Sequence, residues 1–435
     1  MERFFRYKEN GTTHRREVTA GVTTFLAMAY ILFVNPSILA DAGMDKGAVF
    51  TATALSAVIG CLLMALVANY PVAIAPSMGL NAFFAYSVVI GMGVPWQTAL
   101  VGVLFSGILF VIITLLKLRE MILNAIPQDL KMAAASGIGL FIAFIGFKNA
   151  GIVVTSEATL VTLGNLTAPG TLLTIFGLVV SIILMVRKFP GAIFVGMVLT
   201  GILGVLTGVL PSPTGIVASV PSLDPIFGVS ITQMFAHPEQ VFTVSLIGVV
   251  LTFLFVEFFD TAGTLMAIAT QAGLIKDNKM IRGSQALLAD STSIIGGALL
   301  GTSPTTSYIE SSSGVASGGR TGFTSVITAA LFVLALFFSP LLVVVTGNVT
   351  APALIIVGVL MASAMGNIQW NKFEIAVPAF LTIIIMPLTY SVANGIALGL
   401  ILFPITMLVK GRGKDIHPIM YFLFVIFVLY FAFLA

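Results

Sequence analysis

Residues 301–319 read GTSPTTSYIESSSGVASGG and lie between two long apolar stretches. This segment is too rich in glycine, serine and threonine to face lipid, and Pro304 interrupts any helix because proline removes a backbone donor. In hydrocarbon, freed backbone groups need partners inside the protein or in a water-filled cavity. We therefore expect the segment to begin extended and to become helical near Ser312.

A second interrupted segment occurs earlier, where residues 69–86 read NYPVAIAPSMGLNAFFAY. Pro71 and Pro76 break it before Gly79, so we expect the same change from extended chain to helix. Paired interrupted segments in two halves of a membrane protein indicate the binding site of a secondary transporter. The alternative interpretation is a pair of kinked helices that only pack.

The composition requires a lipid-facing surface. Hydrophobic residues make up 58% of the 435-residue chain, charged residues 9%, and the mean hydropathy is +1.11, whereas a soluble domain carries roughly 25% charged residues. With ~20 apolar residues per crossing, the chain is predicted to be an all-α integral membrane protein of about fourteen transmembrane segments. These are 18–39, 48–68, 72–90, 97–116, 132–149, 170–186, 190–210, 241–268, 285–300, 302–318, 322–345, 351–366, 373–389 and 390–409. Residues 417–435 form a further apolar stretch, which is a fifteenth span, an interfacial helix, or a sign that two short spans before it are wrongly divided.

The basic residues predict the orientation. If residues 1–17 are a cytoplasmic N-terminus, then all but two of the 20 basic residues, Lys46 and Lys148, fall on the cytoplasmic side, as the positive-inside rule requires. The proline-rich segment 211–240 separates seven spans from seven. Because seven is odd, two similar halves would have opposite orientations, which is the inverted-repeat plan of many secondary transporters.

Apart from Glu374, the second residue of the predicted span 373–389, four of the 17 acidic residues fall within the predicted spans: Glu257, Asp260, Asp290 and Glu310. A charge near the bilayer centre costs on the order of 3 kcal/mol, so such residues usually face a partner or a cavity. Glu257 and Asp260 share one helical face. Without basic partners the four acids cannot all be ionised cheaply, and this predicts a proton-coupling site. A structural role in hydrogen bonds to the backbone is the alternative, above all for Asp290.

The neighbouring side chains suggest a flat heterocyclic cargo. The amide of Asn81 can pair with a base edge as donor and acceptor. Aromatic rings near the same elements could stack on a planar ring, and we expect no more than two of them to touch a ligand: Phe83, Phe84, Phe258, Phe259 and Tyr308.

Five strings carry a family resemblance: TTFLAMAYILFVNP, APSMGLNAFFAY, FVEFFDTAGTL, LADSTSIIGG and SPTTSYIESSSGVASGGRTG. Together they resemble the azaguanine-type purine permeases of the xanthine/uracil permease superfamily, which is similar to the nucleobase–ascorbate transporters. The resemblance covers essentially the whole chain. It implies a core domain of residues 18–116 and 241–345, a gate domain of residues 132–210 and 351–410 that contributes a homodimer contact, and a C-terminal apolar segment 411–435.

The resemblance also implies proton symport of hypoxanthine, guanine or adenine across the cell membrane, with no cofactor and with sodium as the less favoured coupling ion. Glu257 and Glu310 would bind the base, assisted by Asn81, Tyr308 and Phe258. Glu257, Asp260, Glu310 and Asp290 would serve proton coupling. Uracil-specific relatives carry a histidine where this chain has Thr261, so the coupling would rest on carboxyl groups.

Other functions fit the sequence less well. A uracil or xanthine permease, or an anion transporter of the sulfate-permease type, would use the same architecture, but four acids without a buried base argue against an anionic cargo. An ion channel would need a repeated selectivity element, and a membrane enzyme would need a nucleophile or metal-ligand cluster. All three histidines lie outside the predicted spans, and nothing indicates a nucleic-acid partner.

Overall fold

The computed structural model describes residues 2–116, 118, 125–276 and 279–433, apart from some side chains, among them those of Phe259 and Asp260. The described residues are predominantly helical and contain short two-stranded antiparallel ladders.

The first half contains nine described helices and three strands. The helices are α1 Glu2–Phe5, α2 His14–Met28, α3 Ile31–Asp41, α4 Lys46–Leu63, α5 Met78–Ala82, α6 Trp96–Leu115, α7 Gln128–Asn149, α8 Pro169–Val186 and α9 Ala192–Leu206. Wider π-helical turns, Met64–Ala68 and Phe83–Gly91, continue α4 and α5. The strands are β1 Ile74–Pro76, β2 Val153–Ser156 and β3 Leu160–Leu163.

Two short helices lie within the proline-rich segment and at its end, α10 Val229–Ala236 and α11 Pro238–Val241. The described elements of the second half are α12 Val244–Gln271, β4 Ile275–Lys276, β5 Lys279–Met280, α13 Gly283–Leu300, β6 Thr305–Ser307, α14 Ser311–Ala316, α15 Gly322–Ala335, α16 Gly347–Ala362, α17 Phe373–Thr389, α18 Val392–Val409 and α19 Pro418–Phe433. Tight 3₁₀ turns, Leu336–Val343, Ser363–Asn367 and Gly413–Asp415, complete it.

Eight helical stretches of the described chain are long and apolar enough to cross a membrane. They are His14–Asp41, Lys46–Ala68, Trp96–Leu115, Gln128–Asn149, Pro169–Val186, Gly322–Val343, Gly347–Asn367 and Val392–Val409. The remaining predicted spans are outside this set, among them 241–268 in the 28-residue helix α12, some of whose side chains lie outside the described part of the structure, so the count of fourteen stays a prediction. The first stretch also differs from a single straight helix, because α2 ends at Met28 and α3 begins at Ile31.

The two interrupted segments are extended before their helices, which confirms that prediction. β1 pairs with β6 in an antiparallel ladder in which Ile74 faces Ser307 and Pro76 faces Thr305. Backbone bonds extend the pairing at both ends, from the Ser77 amide to the Pro304 carbonyl at 2.8 Å and from the Tyr308 amide to the Ala73 carbonyl at 2.9 Å. Each segment thereby satisfies the backbone groups that its prolines remove from helical bonding.

Helix packing groups the elements around this ladder. α13 packs against α4 and α6, and α15 packs against α2 and α4. Separately, α7 packs against α16 and α17. α7 and α16 cross at Gly139 and Gly358, where a Cβ added to either residue would lie 2.7 Å or less from the carbonyl oxygen of the other. Small residues at such crossings let the helix backbones approach closely inside a membrane.

The C-terminal apolar segment forms a helix rather than a loop. α19 packs against α18, and the Phe427 ring lies 5.2 Å from the ring of Phe255 in α12, centroid to centroid. Met420, Leu423 and Phe427 are buried, whereas Phe422 and Val425 are exposed. The segment therefore presents one face to the protein and another outward, and both readings of its relation to the membrane stay open.

Candidate functional site

A large cavity ends at the two interrupted segments. Its volume is about 1940 Å³, and its wall includes Ser77, Met78 and Gly79 at the start of α5. The second interrupted segment contributes five consecutive residues to the same wall, Thr306, Ser307, Tyr308, Ile309 and Glu310. The ladder between β1 and β6 therefore brings two segments that are far apart in sequence to one place.

Glu310 stands at the junction between β6 and α14. It is half-buried and lines the cavity. Its Oε1 accepts a hydrogen bond from the Tyr30 hydroxyl at 2.5 Å. Glu310 therefore faces a cavity, one of the two surroundings expected for an acid in a predicted span.

Tyr308 offers the cavity an aromatic ring whose polar end is occupied. Its hydroxyl donates to the carbonyl oxygen of Pro76 on the paired strand, and its side chain is buried within the cavity wall. Because the hydroxyl is bonded to the ladder, the ring is held in a fixed orientation. A ring held in this way is suited to stacking against a flat ligand.

Glu257 lies behind the ladder. It is buried on α12 and accepts a hydrogen bond at 2.8 Å from the hydroxyl of Thr261, one turn further on. The Thr261 hydroxyl is also 3.0 Å from the hydroxyl of Thr306 in β6. A short chain of polar contacts therefore joins the Glu257 carboxyl group to the strand that lines the cavity.

Asp290 contacts the opposite side of the same strand. It is fully buried on α13, and its Oδ1 accepts hydrogen bonds from the Ser307 amide at 3.1 Å and the Ser307 hydroxyl at 2.9 Å. Thr306 and Ser307 point to opposite faces because side chains alternate along a strand. The described contacts of Asp290 position β6, in agreement with the structural alternative considered for it.

Asn81 belongs to a buried polar network rather than to the described cavity wall. Its amide nitrogen donates to Oδ1 of Asn35 at 3.2 Å, and its own Oδ1 is buried with no hydrogen-bond partner among the described residues. Asn35 also donates to Thr53 at 2.8 Å and Thr302 at 2.9 Å. This network ties α3, α4, α5 and the segment before β6 together behind the cavity.

The phenylalanines singled out in the sequence pack in the protein interior. Phe258 is fully buried, with its ring 4.7 Å from that of Phe110, and Phe83 packs edge-on against Phe253 at 5.2 Å. Phe84 is also fully buried. Direct stacking of Phe258 on a ligand thus stays a prediction that this packing does not favour, while the side chains of Phe259 and Asp260 lie outside the described part of the structure.

Sequence reasoning missed two residues near the site, Tyr30 and Asn35. Tyr30 is the hydrogen-bond donor to Glu310, and Asn35 is the centre of the buried polar network. Both occur in the string TTFLAMAYILFVNP, where a tyrosine, an asparagine and Pro36 interrupt an otherwise apolar run. Polar side chains are expensive in hydrocarbon, so their presence there was the available signal.

The cavity wall also includes basic residues. Lys131, Lys188 and Arg282 belong to it, and the Arg282 guanidinium donates to the backbone carbonyl of Asn69 at 3.4 Å. Acidic and basic side chains therefore line one cavity.

Comparisons with known proteins agree with this geometry. The sequence profile of the Permease family, that of the xanthine and uracil permeases, matches residues 15–398. The chain is 59% identical over 443 residues to the guanine/hypoxanthine permease PbuG of Bacillus subtilis, with both chains fully covered. It is 44% identical over 437 residues to the adenine permease AdeP of Escherichia coli, in an alignment that covers 100% of this chain and 96% of AdeP.

A solved structure shares the fold at low sequence identity. The transmembrane domain of the cyanobacterial bicarbonate transporter BicA superposes with a TM-score of 0.64 at 17% identity, over 89% of this chain and 97% of that domain. This likeness concerns the fold alone. The profile match and the full-length relatives show more: the chain belongs to the Permease family and is a multi-pass membrane transporter.

Proposed function

We propose that this transporter imports purine nucleobases, hypoxanthine and guanine foremost and adenine in addition, by proton symport. The observation that carries the proposal is that Glu310 and Tyr308 both belong to the wall of one cavity. A purine is planar and offers N–H donors along its edge, so a ring face and a carboxylate are the groups that bind it. Relatives named as guanine/hypoxanthine and adenine permeases support this choice of cargo.

The other acids take different roles in this proposal. Glu257 receives or releases the coupling proton next to the bound base and communicates with it through Thr261 and Thr306. Asp290 holds β6 in register, and Asp260 stays a predicted proton-coupling residue. Asn81 and Phe258 support the site from behind, because one anchors α5 and the other fills the core beside α12.

The proposed architecture is fourteen spans in two inverted repeats of seven. The packing of α13 and α15 against α2, α4 and α6 supports a core domain, and the packing of α7 against α16 and α17 supports a gate domain. A homodimer contact through the gate domain belongs to the same proposal. The protein would lie in the cell membrane with a cytoplasmic N-terminus. The cavity, whose wall includes Lys131, Lys188 and Arg282, would then open to the cytoplasm.

Competition for uptake tests the cargo. Labelled hypoxanthine uptake by cells that express the protein, in a host without its own purine permeases, should be inhibited by unlabelled guanine and hypoxanthine. Uracil and sulfate serve as the probes for the two alternative classes, the uracil permeases and the sulfate-permease-type anion transporters. Inhibition by sulfate alone, or uptake that only uracil inhibits, would refute the purine proposal.

Dissipation of ion gradients tests the coupling. In proteoliposomes with an imposed proton gradient and no sodium, hypoxanthine should accumulate, and a protonophore should abolish the accumulation. If accumulation required sodium and resisted the protonophore, the coupling ion would be sodium and the carboxyl groups would need another role.

A further inference from the structure

Tyr30 lies where the first membrane segment changes helix. α2 ends at Met28 and α3 begins at Ile31, so Tyr30 occupies the joint between them. Its side chain is buried and belongs to the cavity wall. The joint brings this tyrosine to the carboxyl group of Glu310, 280 positions away in the sequence.

The contact with Glu310 is asymmetric. The Tyr30 hydroxyl donates to Oε1 at 2.5 Å. A carboxylate with both oxygens available can accept two parallel N–H donors from one partner, as in its bidentate pairs with arginine. A carboxylate oxygen that already accepts a short hydrogen bond from a buried phenol is a weaker acceptor for a second donor, so Oε1 contributes less than Oε2 to the binding of a ligand in the cavity.

This asymmetry matters for the purines that the proposed function names. Guanine presents two adjacent donors on one edge, its N1–H and its 2-amino group. Hypoxanthine presents the N1–H alone at that edge. A carboxylate with two accepting oxygens would prefer guanine, whereas a carboxylate with one oxygen engaged would gain little from the 2-amino group.

We propose that Tyr30 sets the selectivity of the site, because it occupies one oxygen of Glu310 and so lets hypoxanthine bind about as well as guanine. Tyr30 is then a positioning residue that acts through Glu310. This inference rests on the proposed purine transport. The relative PbuG is named for both guanine and hypoxanthine, which is consistent with a site that does not distinguish the 2-amino group.

The test is the ratio of the half-inhibitory concentrations of guanine and hypoxanthine against labelled hypoxanthine uptake. The Tyr30→Phe variant keeps the ring and removes the hydroxyl, which frees Oε1 for a second donor. One added charge-assisted hydrogen bond should shift the ratio toward guanine by about tenfold. Because the ratio is measured within one variant, it does not depend on the amount of protein in the membrane.

Tyr86→Phe is the matched control. The Tyr86 hydroxyl also donates to a carboxylate, Oδ2 of Asp41 at 2.6 Å, and Tyr86 is not among the described residues of the cavity wall. Its variant should keep the wild-type ratio. A Tyr30→His variant, which retains an N–H donor, should restore a ratio closer to wild type than Tyr30→Phe does.

The outcomes separate the two proposals. If the wild-type protein transports purines and Tyr30→Phe leaves the ratio unchanged, the role of Tyr30 is refuted and the proposed function stands. If the wild-type protein transports no purine, both fail. Should Tyr30→Phe not reach the membrane, the wild-type protein alone still decides, because a guanine preference above about tenfold would contradict the inference.

Discussion

The carboxylate of Glu17 accepts three hydrogen bonds at the start of α15. Oε1 accepts from the Arg320 amide at 2.9 Å, and Oε2 accepts from the amide and the hydroxyl of Thr324 at 3.1 and 2.7 Å. Glu17 is fully buried on α2, so this acid fixes the turn at the beginning of α15, where the Thr324 amide is also 3.2 Å from the Thr321 carbonyl oxygen. Glu310, in contrast, is half-buried and faces the cavity.

Glu17→Gln should destabilise the protein. A glutamine keeps one oxygen but turns an NH₂ group toward donors that need an acceptor, and each buried donor left unsatisfied costs about 2 kcal/mol. The melting temperature of the purified protein in detergent should therefore fall. Glu9→Gln is the control, because Glu9 is exposed and forms an ion pair with Arg6 at 3.6 Å on the protein surface. Equal melting temperatures for the two variants would contradict this role of Glu17.

Glu310→Gln, in contrast, should abolish transport and leave the stability of the protein unchanged. The side chain keeps its size and lies at the cavity, so the melting temperature should stay near that of the wild-type protein. Proton-driven accumulation of hypoxanthine in proteoliposomes should be lost, because an amide cannot take part in the proton cycle. Unchanged accumulation with an unchanged dependence on pH would refute the coupling role.

The residues that could be singled out from the sequence are those whose burial in a membrane is energetically costly. Glu257, Asp290 and Glu310 stood out because an acid in an apolar span is expensive, and all three contact or belong to the segments around the ladder. Tyr30 was missed because a tyrosine in an apolar run is unremarkable until its hydroxyl partner is known. The ligand contact of Phe258 stays a prediction, because the sequence does not say which face of α12 meets the cavity.

At the level of elements, the crossing of α7 and α16 depends on two residues without side chains. Gly139 and Gly358 are in backbone contact, and a methyl group on Gly358 would lie 2.5 Å from the carbonyl oxygen of Gly139. No rotamer change can relieve that contact, because both atoms are fixed by their helices. The helices must therefore separate to admit a larger residue.

Gly358→Ala should lower the stability by about 2 kcal/mol, as overpacking in a well-packed interior does. The measurement is thermal unfolding of the purified protein. Gly366→Ala is the control, because a Cβ at Gly366 meets no atom within 4 Å. If Gly358→Ala melted no lower than Gly366→Ala, the close crossing would be absent in the membrane-extracted protein.

Proline and glycine patterns made some elements predictable and left others hidden. The extended breaks follow from Pro71, Pro76 and Pro304, since proline cannot continue helical bonding. The joint at Tyr30 and the π-helical turns after α4 and α5 have no comparable signal. Their geometry comes from contacts with distant elements, such as Glu310 against Tyr30, that a local pattern does not contain.

For the whole molecule, the labelling of one introduced cysteine tests the orientation of the cavity in the membrane. Lys188 is exposed and belongs to the cavity wall, and the one cysteine of the chain, Cys61, is buried. A Lys188→Cys variant therefore provides a single accessible thiol. A membrane-impermeant maleimide should label it in inside-out vesicles and leave it unlabelled in intact cells.

The wild-type protein is the control for this labelling and should stay unlabelled in both preparations. Labelling of Lys188→Cys in intact cells only would reverse the proposed orientation and put the N-terminus outside. The sequence predicted this orientation from loop charges alone, as all but two of the basic residues fall on one side. It could not predict the size of the cavity, which depends on how far the helix groups stand apart.

The ladder between β1 and β6 has a consequence for how such transporters diversify. Main-chain hydrogen bonds hold these strands together. These bonds involve no side-chain atoms, so they can persist when the side chains change. Substitutions at positions such as Thr306 can therefore alter what the pocket recognises while the backbone frame persists. A scaffold of this kind allows new cargo preferences to evolve one residue at a time, without rebuilding the fold that presents them.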